Sequence, residues 1–335
     1  MSYRFAIIGC GHIAGRHAQN IVKQGTLVAV CDIIPERASE LAAKYGATPY
    51  FSTTELFANE KPDLVSICTP NGLHAEHTLE ALQHGCNVLC EKPMTINSSD
   101  GEKMIAAAKK AGKKIYVVKQ NRYNPPVLAI KKLIDENKLG RIFSFQLNCF
   151  WNRPAEYYRD NWRGTSKLDG GILFTQFSHF IDLVYWLLGD IKKVTGTRMN
   201  YLHKTSIEFE DCGMAFLEMQ NGALGTLHYS INSYKKNMEG SLTLFGEKGT
   251  VKIGGQYLNE LEYFEVENET KPVLPAGNSA NNYGFYEGSM SNHDKVYENL
   301  VKALNNPDHS MVEAAEALKT VAIIEKIYQS SPLVL

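Results

Sequence analysis

A lysine at the end of a predicted buried strand is the first candidate for chemistry in this sequence. The apolar run Val88-Leu89-Cys90 stops abruptly at Glu91-Lys92-Pro93. In open α/β sheets, ligands bind beyond the carboxyl ends of the strands, where the connections change direction. Lys92 is therefore predicted to face a ligand. The alternative, on local sequence alone, is a solvated turn that follows a strand.

A histidine in a later apolar stretch is the second candidate. Spacing predicts one helix from Thr175 through His179 and Asp182 to Trp186. Residues four apart share a helical face, so Thr175 and His179 are predicted to lie together. A histidine ordinarily titrates close to neutral pH and can accept a proton, although a core or interface histidine is the alternative.

A glycine-rich turn near the amino terminus predicts a dinucleotide site. A short strand pattern precedes Gly9-Cys10-Gly11-His12-Ile13-Ala14, and a helical pattern follows it. Gly9 permits a tight turn, Gly11 lets the backbone approach a pyrophosphate, and Ala14 lets the helix pack closely on the strand. The next strand ends in Asp32, whose carboxylate suits ribose hydroxyls and would repel a 2′-phosphate. The predicted cofactor is therefore NAD.

Two structural patterns must position these residues. Six strands alternating with helices predict a Rossmann-type, doubly wound parallel sheet over residues 1–122. From Gly140 the strands lengthen and look antiparallel, with a hairpin at Asn221-Gly222, whereas residues 268–288 have a loop composition. Residues 123–335 are therefore predicted to form an α+β domain for substrate binding and oligomerisation. It would contain a large, mostly antiparallel open sheet, and its last helices could pack back on the first domain.

Composition excludes several classes of partner. The 335 residues are 44% hydrophobic, and 35 basic and 36 acidic residues leave a formal net charge of -1. Neither nucleic acid nor a membrane is expected as a partner. The seven cysteines contain no CxxC pair, which predicts reduced core thiols, and a cytoplasmic protein is expected since no signal peptide is apparent. His74 and His77 share a helix face, but no further ligand completes a set, so no metal site is predicted.

The motifs together resemble the Gfo/Idh/MocA oxidoreductase family over essentially the whole chain. They are the glycine-rich turn, Asp32, Thr69-Pro70-Asn71, Glu91-Lys92-Pro93, Gln120-Asn121-Arg122, and Asp169-Gly170-Gly171 followed by His179 and Asp182. The resemblance implies hydride transfer between a secondary alcohol and NAD, with Lys92 and His179 as the catalytic pair. Thr175 is grouped with them because many members carry an aspartate at that position.

Within the family, segments around Trp151–Pro154, Tyr157-Tyr158, Trp162–Thr165 and 288–293 are similar to UDP-N-acetylglucosaminuronate 3-dehydrogenases. This implies a sugar or nucleotide-sugar substrate. The second face of the predicted antiparallel sheet is available for another subunit, which predicts a homo-dimer or homo-tetramer. The implied cofactor residues are Gly9, Gly11, His12, Ile13, Asp32, Arg37, Thr69, Pro70, Asn71, His74, Glu91, Lys92, Gln120, Trp162 and Arg163. The implied substrate residues are Lys92, Arg153, Tyr157, Arg163, Thr175, Gln176, His179, Ser289 and His293.

Three functions remain open on this basis. The preferred one is oxidation of a nucleotide sugar at C3, in surface-polysaccharide biosynthesis, with His179 as base and Lys92 steadying the developing oxyanion. The reverse assignment of the two roles is possible. The second function is dehydrogenation of a free sugar or cyclitol, and the third is a catalytically silent NAD sensor, suggested by Thr175 in place of the aspartate.

Overall fold

Strands and helices alternate along the first part of the chain and give way to long strands after residue 140. The structure, a computed structural model, describes residues 2–159, 162–284, 286–306 and 308–334. The strands are β1 (Tyr3–Ile8), β2 (Gly25–Cys31), β3 (Thr48–Tyr50), β4 (Leu64–Ile67), β5 (Asn87–Cys90), β6 (Ile115–Val117), β7 (Ile142–Phe150), β8 (Ile191–Met199), β9 (Cys212–Met219), β10 (Leu224–Ser230), β11 (Glu239–Gly246), β12 (Gly249–Gly254), β13 (Glu260–Val266), β14 (Ala280–Asn282), β15 (Glu287–Met290) and β16 (Leu333–Val334).

The longest of the described helices, Ala314–Ser330, has 17 residues. None of the helices in the described part of the chain has both the length and the apolar composition of a membrane span. Short 3-10 turns precede several of them, at Asn71–Leu73, Gln120–Tyr123 and Ala155–Tyr158. The helices are α1 (Ala14–Gln24), α2 (Pro35–Tyr45), α3 (Thr53–Asn59), α4 (His74–Gln83), α5 (Ser98–Ala111), α6 (Pro125–Asp135), α7 (Ile172–Thr175), α8 (Ser178–Leu188), α9 (His293–Asn305) and α10 (Ala314–Ser330).

The first of two compact units combines the chain up to Val118 with His293–Val321. Its six-stranded sheet has the order β3-β2-β1-β4-β5-β6, with all strands parallel. This is the predicted Rossmann arrangement. Strands buried on both faces need apolar residues at successive positions, which explains why β4 is buried throughout. The order reverses between β1 and β4, and ligands of such sheets bind at that point.

The sequence predicted one domain boundary, after residue 122. In the structure the later segment His293–Val321 also belongs to unit 1. The backbone N–H of Val117 in β6 donates to the carbonyl oxygen of Val312. Ala314 and Ala317 pack in the same apolar core as the strands of the sheet. The amino-terminal half of α10 therefore completes the core of unit 1.

Unit 2 comprises Lys119–Asn292 and the chain from Ala322 onward. Its eight-stranded sheet has the order β13-β12-β11-β7-β10-β9-β8-β16. The sheet is mostly antiparallel, as predicted, and the hairpin at Asn221-Gly222 joins β9 to β10. However, β10 pairs with β7 in parallel, as does β16 with β8. Parallel pairing of β7 with β10 is possible because a long crossover rather than a hairpin joins these two strands.

Two further local predictions were wrong. The predicted helix from Thr175 to Trp186 is interrupted, since α7 ends at Thr175 and α8 begins at Ser178. At the junction Phe177 has φ -110° and ψ 4°, which breaks the helical hydrogen-bond series. Thr175 and His179 therefore lie on different helices. In the predicted loop 268–288, β14 pairs with β15.

The cysteines are core residues of both units. All seven are free thiols, and all are buried except Cys212, which is half-buried. Burial is the main reason why the pKa of Cys10 and of Cys31 is raised to about 12. The burial of six of the seven cysteines agrees with the predicted core positions, and their reduced state stays a prediction.

Candidate active site

The glycine-rich turn of unit 1 connects β1 to α1. Gly9 has φ +92°, and a Cβ there would lie 2.7 Å from backbone atoms of Cys68 and Thr69, so a side chain has no room. A Cβ at Gly11 would meet nothing within 4 Å, which is the open space that a closely approaching pyrophosphate needs. The N-cap residue of helix α1 is the half-buried Ile13, whose side chain forms no capping hydrogen bond, as suits a helix end that binds an anion. His12, beside it, is exposed.

Asp32 lies at the end of β2, beside the same turn. Its carboxylate accepts the backbone N–H of Cys10 at 2.7 Å and that of Ile34 at 2.9 Å. Each oxygen of a carboxylate can accept a second hydrogen bond, so both can still receive ribose hydroxyls. Arg37 lies exposed in the first turn of α2. The turn and the carboxylate together fit NAD.

The ends of β4 and β5 are held together by a buried histidine of α4. The two ring nitrogens of His74 lie 2.8 Å from the carbonyl oxygen of Thr69 and 2.7 Å from that of Pro93. The Thr69 hydroxyl lies 3.2 Å from Nδ1 of His77. His74 thus joins the loop that contains Pro70 and Asn71 to the loop that follows Lys92, and its predicted cofactor contact stays a prediction.

Lys92 is half-buried and follows a buried carboxylate. Glu91 Oε1 accepts hydrogen bonds from Nε2 of His17 at 2.9 Å and Nε2 of His293 at 3.2 Å, whereas Oε2 accepts the backbone N–H of Lys92 at 3.0 Å. Burial opposes ionisation, but the hydrogen bonds from the two histidines hold the pKa of the Glu91 carboxyl well below its usual range. His293 was expected at the substrate and is placed by the structure against Glu91. His17 was not anticipated.

In unit 2, Gln120 and His179 come together although 59 residues separate them. Their Nε2 atoms are 3.2 Å apart, and the described residues offer no hydrogen-bond partner to Gln120 Oε1. An amide can serve either form of the ring, since its N–H donates to a bare Nε2 and its oxygen accepts from a protonated one. The pair can therefore hold His179 in place before and after a proton transfer at Nε2.

A buried ion cluster fixes these two elements relative to each other. Asp182, one turn after His179 on α8, accepts two hydrogen bonds from Arg122 at 2.8 and 2.9 Å, and Lys119 Nζ lies 2.9 Å away. Burial disfavours the ionised carboxyl, but the charges of Lys119 and Arg122 hold the pKa of Asp182 well below its usual range. Because Gln120 lies between the two cations in sequence, this cluster positions the Gln120–His179 contact.

Thr175 is hydrogen bonded to a carboxylate. Its hydroxyl donates to Oδ1 of Asp169 and lies 3.2 Å from the carbonyl oxygen of the same residue. Oδ2 of Asp169, which is fully buried, accepts the backbone N–H of Gly164 at 2.8 Å. The aspartate that many relatives have at position 175 is absent, but a carboxylate still lies one hydrogen bond from this position.

Two arginines lie on the same tyrosine ring in unit 2. The guanidinium carbon of Arg153 lies 5.2 Å from the ring centre of Tyr157, and that of Arg163 lies 4.6 Å from it. Gln176 Nε2 donates to the Tyr157 hydroxyl at 3.3 Å. Four predicted substrate residues are thus brought together, in an arrangement that joins cation–π contacts to two positive charges.

We call Arg153, Arg163 and Tyr157 the arginine cluster. The remaining predicted residues flank this cluster or lie apart from it. The ring centre of the half-buried Trp162 lies 4.9 Å from the Arg163 guanidinium carbon. Ser289 accepts a hydrogen bond from Asn121 Nδ2 at 3.2 Å, next to Gln120 in sequence. Roles of individual residues in binding stay predictions.

A carboxylate that sequence reasoning missed supports the arginine cluster. Asp211 accepts the backbone N–H groups of Tyr201, Leu202 and His203 at 2.7 to 3.2 Å, and His203 Nε2 lies 2.9 Å from the carbonyl oxygen of Arg153. Burial opposes ionisation of Asp211, but hydrogen bonds from His203 and the backbone lower its pKa from 3.8 to about 2. The local signal was only an Asp in a loop.

Asp211→Asn is expected to lower the free energy of unfolding by about 2 kcal/mol at neutral pH, since one pKa unit corresponds to about 1.4 kcal/mol. A carboxyl with a depressed folded-state pKa contributes stability above its unfolded pKa of 3.8 and loses it as the pH falls towards 2. Urea unfolding of both proteins from pH 7 downward measures the difference. A difference that grows below pH 4 would contradict this origin.

The glycine-rich turn and the carboxylate that follows β2 indicate an NAD-dependent oxidoreductase. Residues 3–119 match the family model described as oxidoreductase family, NAD-binding Rossmann fold, and residues 127–252 match the GFO/IDH/MocA C-terminal domain. The chain belongs to the Gfo/Idh/MocA family, and it is a dehydrogenase that acts on CH–OH groups.

Solved structures and curated proteins give similar relatives. The chain is 33% identical to the WlbA dehydrogenase of Bordetella pertussis, solved with NADH and UDP-GlcNAcA, over 98% of this chain and 96% of that one, with a TM-score of 0.88. The WlbA dehydrogenase of Chromobacterium violaceum, with the same ligands, is 34% identical over 98% and 93% of the two chains, also with a TM-score of 0.88. The D-glucoside 3-dehydrogenase of Escherichia coli is 37% identical over 68% of this chain and 66% of that protein.

Proposed function

We propose that this dehydrogenase oxidises a secondary hydroxyl of a sugar nucleotide, with C3 of UDP-N-acetylglucosaminuronate as the best candidate, in surface-polysaccharide biosynthesis. The observation that carries the proposal is the charge of Arg153. In the described part of the chain, its guanidinium donates to the main-chain oxygens of Asn152 and Glu287 and to the side-chain oxygen of Asn237, all of them neutral. Among the described residues, no carboxylate forms an ion pair with it.

A buried guanidinium without a carboxylate is costly unless an anion joins it. Arg153 is 3% exposed, so its charge acts through a low-dielectric environment. A UDP-sugar uronate carries a diphosphate and a carboxylate, the two groups that arginine binds in bidentate fashion. A free sugar has neither group. The full-length similarity to two enzymes solved with UDP-GlcNAcA supports the same substrate class.

The proposed chemistry uses two side chains, His179 and Lys92. NAD, when bound, would supply the acceptor for the hydride of the carbinol carbon. His179 accepts the hydroxyl proton at Nε2, and Gln120 holds the ring in either protonation state. Lys92 steadies the oxyanion that develops on the substrate oxygen. The reverse assignment, with Lys92 as the base, uses the same two side chains.

A second candidate is oxidation of a free sugar or glycoside. The observation that favours it is the 37% identity to the D-glucoside 3-dehydrogenase of Escherichia coli. That enzyme class needs no anion site, so the charge of the arginine cluster distinguishes the candidates.

Thermal-shift and turnover measurements with four ligands test the proposal. In the presence of NAD, UDP and UDP-N-acetylglucosaminuronate are expected to raise the melting temperature, and the latter is expected to yield NADH. D-Glucose and myo-inositol should do neither. NADH from a free sugar, with no response to UDP, would favour the second candidate. Binding of NAD with no turnover of any sugar would favour a silent sensor.

Two arginine variants test whether Arg153 binds the anionic part of the substrate. Arg153→Gln is expected to raise KM for the nucleotide sugar by about 10-fold or more, since a charge-assisted contact contributes a few kcal/mol. Arg159→Gln, in the same segment, removes an exposed charge that pairs with Glu156 on the surface and should leave KM unchanged. Equal effects of both variants would contradict an anion site at Arg153.

We also propose that the protein forms a homo-dimer or homo-tetramer through its large sheet. Phe216 is 72% exposed, and Met214 and Leu224 on the same pair of strands are at least half exposed. Exposed apolar side chains grouped on one sheet face are typical of an interface. Light scattering of the protein in solution measures the oligomeric state, and a monomer at micromolar concentration would contradict the proposal.

A further inference from the structure

A buried hydrogen-bond cluster in unit 1 lies directly behind Lys92. We call His17, Glu91 and His293 the Glu91 cluster. All three side chains are at most 8% exposed, and they come from α1, the end of β5 and α9. We infer that His17 and His293 are positioning residues for the reaction, because they hold the Glu91 carboxylate where it fixes the backbone of Lys92. The inference rests on the proposed role of Lys92.

The two oxygens of the Glu91 carboxylate have different hydrogen-bond partners. Oε1 receives the N–H groups of both histidines, at 2.9 and 3.2 Å. Oε2 receives the backbone N–H of Lys92 at 3.0 Å. A carboxylate fixed by two ring N–H donors cannot rotate freely, so the third contact restricts the main chain from which the Lys92 side chain extends.

The orientation of His17 is itself determined by neighbours. Its Nδ1 lies 2.8 Å from the hydroxyl of Tyr297, which lies 2.8 Å from Oγ of Ser66. Since Nε2 must donate to the Glu91 carboxylate, Nδ1 accepts from Tyr297, and the tyrosine oxygen can accept from Ser66. Strand β4 and helices α1 and α9 therefore converge on one carboxylate.

The same three side chains could in principle hold a metal ion, since their ligand atoms lie within 4.8 Å of one another. The two nitrogen–oxygen distances, however, match ordinary N–H···O hydrogen bonds, and the pair of donors already compensates the carboxylate. Side chains this buried also leave little room for a water ligand. The contacts favour a proton network, and metal content becomes one result of the test.

A pair of His17 variants separates positioning from folding. Gln extends an amide nitrogen about as far as Nε2, so His17→Gln keeps a donor for Glu91, whereas His17→Leu fills similar space without one. Leu82→Ala is the control, since it removes packing from the apolar core of unit 1 and leaves the hydrogen bonds of the Glu91 cluster in place. Glu91→Gln is the second variant if His17→Leu does not fold.

We expect His17→Leu to lower kcat by about 10- to 100-fold, the effect typical of a small displacement of a catalytic group, with KM for NAD within about threefold. His17→Gln should recover most of kcat. Leu82→Ala should lower the melting temperature and keep kcat within about threefold of wild type. Deuterium exchange of the Lys92 amide, followed in the peptide that contains residues 89–93, should be faster in His17→Leu than in Leu82→Ala.

Three results would overturn the inference. They are equal kcat values for His17→Leu and Leu82→Ala, unchanged exchange of the Lys92 amide in His17→Leu, or one equivalent of metal per purified chain whose removal abolishes activity. The exchange measurement needs no substrate. A change in exchange without any role of Lys92 in turnover would contradict the proposed function and leave the positioning contact intact, so the two failures can be told apart.

Discussion

Lys92→Ala is expected to reduce turnover by about 1,000-fold or more, while the affinity for NAD stays within about threefold of wild type. The substitution removes the cation assigned to the developing oxyanion and leaves the glycine-rich turn and Asp32 unchanged. The backbone N–H at position 92, which donates to Glu91, is also kept. NADH formation measures turnover, and calorimetric titration measures NAD binding.

The matched control is Lys103→Ala, which removes another lysine of unit 1. Lys103 is exposed on α5 and pairs with Asp100 at 2.8 Å, so the loss of this surface pair should change neither quantity. A near wild-type rate in Lys92→Ala would refute the site assignment. Loss of NAD binding together with turnover would instead place Lys92 at the cofactor.

The pH dependence of kcat/KM distinguishes the two base assignments. The acidic limb of such a profile reports the group that must be unprotonated to accept the substrate proton. If His179 is the base, His179→Gln should remove that limb from the residual rate, and Lys92→Ala should keep it. The opposite outcome would assign the base to Lys92.

Asp182→Asn is expected to lower the free energy of unfolding by about 3–5 kcal/mol, because it leaves two buried cations without their carboxylate. Asp182 is 2% exposed and contacts both Lys119 and Arg122 at less than 3 Å. The Gln120–His179 contact depends on the same cluster, so activity should fall as well. Urea unfolding at pH 7 measures the change.

Glu218→Gln provides a control within the same unit. It neutralises a carboxylate that pairs with Lys192 at 2.6 Å on the surface, where solvent screens the charges. This variant should be destabilised far less than Asp182→Asn. Similar losses of unfolding free energy in the two variants would contradict a stabilising effect of burial on the Asp182 cluster.

Local patterns in the sequence were sufficient for much of unit 1. Asn97 shows why: its side chain accepts the N–H of Asp100, so the sequence alone places the start of α5. Gly9 and Asp32 likewise occupy positions whose chemistry is local to one strand and one turn. Predictions of this kind need only residues that lie close together in the chain.

Pairings between distant parts of the chain could not be predicted in this way. His17, Glu91 and His293 meet across 74 and 202 residues, and no local spacing indicates such a contact. The parallel pairing of β7 with β10 depends equally on a long crossover. Thr175 illustrates an intermediate case, because its apolar surroundings predicted a helix correctly but gave no sign of the break at Phe177.

The arginine cluster was anticipated as a set of residues but not as an arrangement. Arg153, Tyr157 and Arg163 were chosen for their chemistry and their likeness to relatives. Both guanidinium groups lie over the ring of Tyr157, which belongs to the 3-10 turn Ala155–Tyr158. Short sequence patterns do not reveal this arrangement. The support from Asp211 was missed for the same reason.

The burial of the thiols has a practical consequence for spectroscopy. With the pKa of Cys10 and of Cys31 near 12, almost none of either thiol is ionised at neutral pH, and the thiolate is the form that reacts with maleimides. Native cysteines should therefore give a low labelling background. One cysteine introduced on the surface of each unit could then accept donor and acceptor dyes, and energy transfer between them would report whether NAD changes the distance between the units.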